Sequence, residues 1–264
     1  LFINYLIIDF RILDRIFNSY EYIHRYPHPY VGFTGKPNKG QHNQFGFIGP
    51  DINKAQSDEF VIAFFGGSTG YRGDPNLPIM IENILEKNNF MNGKVFISNF
   101  SVESSNHNQH LHMLIEFVLN SKVDLVLFYG GWNETVAQAF YDPRPGYPIN
   151  FFYIHHEPHW KKFLIENSKV FGLLQHKIVD KKKFRYVVYS KKWNKDIINN
   201  YFETLNKAKT IVEILEPNSF GNPDFIAFYQ PFNIEKAKKI LPIHNQIKDR
   251  SKKLSWLYDK KLFR

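Results

Sequence analysis

The chain has 264 residues and a formal net charge of +9, with 34 Lys and Arg against 25 Asp and Glu. It contains no cysteine, which excludes disulfides and thiolate metal sites but leaves the compartment open. The length suits one α/β domain with an extension, or two small domains, and 17% aromatic residues can fill a sizeable core. The positive excess fits a solvated lysine surface or an acidic partner such as anionic lipid, polyanionic glycan or nucleic acid.

The first segment, Leu1-Phe-Ile-Asn-Tyr-Leu-Ile-Ile, is apolar but far shorter than the ~20 residues needed to span a bilayer. Because the sequence starts at leucine, we expect it to be a portion of a longer chain. The segment reads either as the remnant of a membrane anchor or as an amphipathic helix, Leu1 to Asn18. No intact transmembrane segment or signal peptide is recognisable. Residues 19–58 are rich in Tyr, His, Pro, Gly and Asn and read as turns and short extended pieces that wrap the core. We therefore divide the chain into an N-terminal helix and wrapping segment, 1–57, and an α/β domain, 58–264.

The domain opens on Phe60-Val-Ile-Ala-Phe-Phe-Gly-Gly-Ser-Thr-Gly70. An unbroken apolar run that stops at glycines predicts a strand buried on both faces, followed by a sharp turn. Ser68 then lies just past the strand's carboxyl end, near a helix N-terminus. A helix is predicted over about Asn76–Lys87. Three readings of the turn compete. A phosphate loop fails for want of its lysine. The stretch Gly66-Gly67-Ser68-Thr69-Gly70 matches the Gly-x-Ser-x-Gly nucleophile elbow. It is also an ordinary glycine turn with a capping serine.

Further along, Lys94-Val-Phe-Ile-Ser-Asn-Phe predicts a second strand, ending in Asn99-Phe100-Ser101. A helix follows over about Asn106–Asn120. Val123-Asp-Leu-Val-Leu-Phe-Tyr predicts a third strand, ending in Gly130-Gly131-Trp132-Asn133-Glu134. Residues 140–160 carry prolines and aromatics after a strand end, as a lid or substrate wall would. Helical patterns return at about 159–180 and 193–215, Asp224-Phe-Ile-Ala-Phe-Tyr-Gln-Pro predicts a fourth strand, and a lysine-rich helix, about Ile234–Tyr258, closes the chain. Near-continuous apolar strands alternating with helices argue a parallel sheet in an α/β/α sandwich.

In a parallel sheet the carboxyl ends of all strands share one edge. Ser68, the Asn99–Ser101 turn and Asn133 therefore project toward one crevice. A hydroxyl that attacks and N–H donors that hold an oxyanion are what acyl transfer needs, and losing one donor typically costs about 3–4 kcal/mol of transition-state stabilisation.

The order Gly-Gly-Ser-Thr, then Asn-x-small, then Gly-x-Asn-Glu resembles the SGNH (GDSL-like) hydrolase superfamily. Asn43-Gln-Phe-Gly-Phe-Ile-Gly before the first strand, and Gln230-Pro231 after the last, are similar to members associated with bacterial surface polysaccharide. The likeness covers roughly residues 28–235. It implies a three-layer α/β/α fold of SGNH or flavodoxin-like type, and a serine esterase or O-acyltransferase acting on acylated carbohydrate without cofactor. Ser68 would be the nucleophile, with Asn133 and Ser101 as oxyanion donors. Gly67, Asn99, Gly131, Trp132 and His107 would line the substrate. Since the serine follows the first clear strand, the elbow match is incidental.

Two departures from the family stand out. Ser101 occupies a position where the family usually has glycine. The family's Asp-x-x-His, whose histidine is the general base, is missing after Gln230-Pro231. His244 is the single histidine there, and Asp249 follows it rather than preceding it. The base is expected beyond Arg264 or lost, with His244 a weak substitute. The rival function is an inactive SGNH-like module that binds glycan or serves assembly, at the cell envelope or a membrane surface. The lysine runs, Lys181–Lys183, Lys191-Lys192 and Lys236 to Lys261, read as solvated faces or a membrane-facing patch, and no nucleic-acid module accompanies them. His155-His156-Glu157-Pro158-His159 lacks helical metal-ligand spacing and is read as surface or lid, so no metal is expected. His107, His110 and His112 are expected to be partly exposed, and Glu134 to be a helix-start carboxylate.

Overall fold

The computed structural model describes residues 26–137, 145–147, 194–230 and 257–259. Two short strands, β1 (Tyr26–His28) and β2 (Gly32–Thr34), pair antiparallel. The main sheet follows, built from β3 (Phe60–Gly66), β4 (Val95–Asn99), β5 (Leu125–Gly130), β6 (Asp224–Tyr229) and β7 (Leu257–Asp259). Its spatial order is β4-β3-β5-β6-β7, and every neighbouring pair is parallel. Counted within the sheet in chain order, that is 2-1-3-4-5, the flavodoxin-like doubly wound arrangement.

The alternation of side chains along β3 explains why the run is apolar throughout. Val61, Ala63 and Phe65 enter one core cluster, while Ile62 and Phe64 enter the other. Helix α1 (Ser68–Tyr71) is a single turn, and α2 (Leu77–Lys87) begins six residues after it ends. Asn76 caps α2 by accepting from the Ile79 N–H at 3.2 Å. Leu77, Ile81 and Leu85, spaced four apart, pack on Ile62, Phe64, Val95, Ile97 and Leu127.

The opposite face is covered by α3 (His107–Phe117) and α4 (Asn194–Glu213). Asn106 and Gln109 form a reciprocal capping box at the start of α3. Met113 and Leu114 from α3, and Ile197, Tyr201, Leu205, Ala208 and Val212 from α4, complete this larger core. Helices on both faces of a parallel sheet make the α/β/α sandwich.

The segment before β3 wraps this body, as its composition suggests. Phe33, Phe47 and Ile52 are buried in the larger core, the Val31 carbonyl accepts from Gln109 Nε2 at 2.8 Å, and the Pro50 carbonyl accepts from Ser98 Oγ at 3.1 Å.

One expectation is corrected. The closing helix was to run to Tyr258, but Leu257–Asp259 is the fifth strand, paired with Ala227–Tyr229. An open β6 edge offers unpaired backbone groups, and the aromatic run Trp256-Leu257-Tyr258 has strand propensity that outweighs its lysine-rich setting. Leu1–Asn18, the histidines at 155–159, His244, the helix at 159–180 and the lysine runs lie outside the described residues. Among the described residues no helix is long and apolar enough to cross a membrane.

Candidate active site

In a doubly wound sheet the crevice opens where successive connections leave in opposite directions. Here that point lies beside β3, which has β4 on one side and β5 on the other. Gly66 at the end of β3 is in register with Tyr129 near the end of β5. The residues just after each strand therefore stand side by side.

On the β3 side, Gly67 turns the chain and Ser68 opens α1, exposed to solvent. The helix after Ser68 is a single turn, so its dipole adds little, and the helix expected over about Asn76–Lys87 is α2. What the glycines provide is room: a methyl placed on Gly67 would stand 2.7 Å from Asn133 Nδ2, and one on Gly66 would stand 2.9 Å from Ser101 Oγ. The β5 loop is thus packed directly against the residue preceding Ser68.

On the β5 side, Gly131 takes φ +108°, and any side chain there would collide with the Tyr229 ring. A π-helical turn, Trp132–Ala137, follows. Such turns widen the backbone and occur often at functional positions. Within it, the half-buried Asn133 donates from Nδ2 to the Ser105 carbonyl at 2.7 Å. An amide nitrogen carries two N–H groups, so this bond fixes the side chain while using only one. Trp132 is half-buried beside it.

Asn99, at the end of β4, and Ser101, just past it, are buried beneath the serine turn. Asn99 is 4% exposed and Ser101 is 0% exposed. Asn99 Nδ2 donates to the Gly70 carbonyl at 3.0 Å, and its Oδ1 accepts the Ser101 N–H at 2.9 Å. Asn99 thus clamps α1, and the Ser101 N–H is already engaged. The N–H of Gly131 is likewise taken, by Glu134 Oε2 at 2.5 Å.

Two further contacts close the site. Gln230, at the end of β6, donates from Nε2 to Thr69 Oγ1 at 2.7 Å, tying the fourth strand end to the serine turn. Arg72, just past α1, pairs with the buried Glu103.

Behind the β5 loop lies a polar cluster that the sequence did not expose. His107 and His110 are 0% exposed, not partly exposed. One turn of α3 separates them, and they meet Nδ1 to Nδ1 at 3.0 Å. His107 Nδ1 is also 3.2 Å from Glu134 Oε1. His110 Nε2 reaches Ser105 Oγ at 2.7 Å. Burial pushes the Glu134 carboxyl up to about 7 and His110 down to about 3, and lowers His107 well below its usual range, reinforced by neighbouring His110. Ligand-type atoms of His107, His110 and Glu134 all lie within 4.8 Å of one another, so among the described residues this trio is the group that could hold a metal ion. His112, by contrast, is exposed as anticipated.

Ser104 and Ser105 also escaped sequence reading. Ser104 takes φ +62°, uncommon for a non-glycine residue, and turns the chain so that the next carbonyl meets Asn133. A run of serines between a strand and a helix cap was the available signal. From the proline-rich excursion, residues 145–147 are described, and there the Tyr147 carbonyl accepts from Asn106 Nδ2 at 2.9 Å at the start of α3. No family model matches the chain, and no curated protein matches it.

Proposed function

We propose that this chain is a serine-dependent esterase or O-acyltransferase acting on acylated carbohydrate. The observation that carries the reading is the packing of the Asn133 amide against Gly67, the neighbour of the exposed Ser68. Attack by Ser68 Oγ on an ester carbonyl moves negative charge onto the carbonyl oxygen. The second N–H of Asn133 Nδ2 and the backbone N–H of Ser68 supply two donors. The latter is a first-turn N–H without an intrahelical partner. Ser101 is left out of this set because its N–H is bonded to Asn99. Resemblance of the serine and asparagine blocks to SGNH hydrolases supports the same chemistry. The proton from Ser68 goes to a base outside the described residues, among which no histidine accepts a hydrogen bond from Ser68 Oγ.

The test is acetate release from an O-acetylated polysaccharide, with Ser68→Ala as control. Release lost in the variant supports the reading. Retained glycan binding with no Ser68-dependent release would make the domain a binding module.

A further inference from the structure

The reading of Asn133 as an oxyanion donor raises the question of what fixes its amide. Its own bond runs to the Ser105 carbonyl, and Ser105 is fully buried. The Ser105 hydroxyl has one proton and lies 2.7 Å from the Val102 carbonyl and 3.2 Å from the Gly66 carbonyl. It therefore donates to a carbonyl and accepts from His110 Nε2–H. Neutral His110 then presents a bare Nδ1, and His107 must supply the proton between the two rings at 3.0 Å. The same His107 nitrogen stands 3.2 Å from Glu134 Oε1, a close contact and not a hydrogen bond, since Oε1 has no hydrogen-bond partner, and Glu134 Oε2 accepts the Gly131 N–H at 2.5 Å. The chain of contacts thus begins at the residue that holds the Asn133 amide and ends on the turn that carries Asn133.

We infer that Ser105, His110, His107 and Glu134 form a buried bracket that sets the orientation of the Asn133 amide, which makes Glu134 and His110 positioning residues for that donor. The inference rests on the esterase reading for its catalytic consequence, but the bracket itself is a statement about Asn133. Ser105 and His110 have the spacing of a nucleophile and its base. Ser105 is nonetheless sealed from solvent and donates to backbone, so it attacks nothing. Burying two imidazoles and a carboxyl is expensive compared with filling the same space with apolar side chains. Such a cost placed directly behind a strand-end crevice fits a group kept for function.

The experiment is a double-mutant cycle on the rate at which a fluorophosphonate labels Ser68 in the full chain. Asn133→Ala is expected to slow labelling on the order of 100-fold. Glu134→Ala and His110→Ala are each expected to slow it by roughly 10–100-fold, because a displaced donor loses much of its effect. Combined with Asn133→Ala, neither should slow it further, since both act through that amide. Additive losses would overturn the inference and leave the cluster a mere packing element. Where the alanine variants fail to fold, Glu134→Gln and His110→Gln replace them. If Ser68→Ala fails to abolish labelling, the esterase reading falls and the bracket is judged by nuclear magnetic resonance. His110→Gln must then shift the Asn133 side-chain amide signals, identified by their loss in Asn133→Ala, and unmoved signals would overturn it. Stoichiometric zinc retained through dialysis, and lost in His110→Gln, would also overturn it by making the trio a metal centre.

Discussion

The two faces of the sheet are closed in different ways. Under α2 the apolar side chains of Ile62, Phe64, Val95, Ile97 and Leu127 meet one stripe of the helix. Under α3 and α4 the core is larger, and its aromatic rings surround polar groups. His107 stacks on Tyr201 with ring centroids 5.6 Å apart, and His110 meets Phe128 edge-on at 5.7 Å. The first face is filled for stability. The second accepts the cost of buried polarity at the end nearest Ser68 and Asn133. The contrast separates what holds the fold from what shapes the crevice, and substitutions on each side should report on different properties.

The largest expected effect on stability comes from the apolar face. Ile62→Ala should cost about 2–5 kcal/mol, read from urea midpoints, through lost burial and a residual cavity. It should leave the labelling rate of Ser68 per folded molecule unchanged. A matching fall in rate would show that the two faces are not independent.

The polar face should instead make stability depend on pH. His110, depressed to about 3 from 6.5, and His107, depressed by the same burial, are protonated in the unfolded chain well above the pH at which they protonate when folded. They add stability above 6.5 and lose it as pH falls toward their folded values. Glu134, raised from 4.5 to about 7, runs the other way, with its contribution full below 4.5 and lost as pH rises through 7. Between 4.5 and 6.5 two histidines outweigh one carboxyl. Stability should then rise with pH over that window and fall from 6.5 to 7. His110→Gln should flatten the rise in a pH series of urea midpoints.

A smaller effect belongs to the α2 boundary. Asn76→Ala removes the cap on Ile79 and should cost about 1 kcal/mol in the same assay, again without changing Ser68 reactivity. At the crevice, Gly67→Ala should slow labelling, because the added methyl would stand 2.7 Å from Asn133 Nδ2 and displace it.

Most of the framework was legible in the sequence. Strands β3 to β6 are apolar runs ended by glycine or polar residues, and a buried parallel strand has no other way to be written. Helices α2 to α4 show in their apolar spacing. Strand β7 did not show, because three residues inside a lysine-rich stretch carry too little pattern to override a helical reading. The site was half legible. Ser68 and Asn133 are set by strand ends, which sequence locates well. The engagement of the Ser101 N–H by Asn99 depends on a side-chain rotamer, which sequence does not reveal. The burial of His107 and His110 did not show, because two imidazoles three residues apart share a helix face whether that face is solvated or buried.

The most direct test of the account treats the wild-type chain with a fluorophosphonate, locates the adduct by peptide mass, and compares the labelling rate with that of Asn133→Ala. The account predicts an adduct on Ser68 that forms on the order of 100-fold more slowly in the variant. An adduct at another serine, or equal rates in the two proteins, would contradict it.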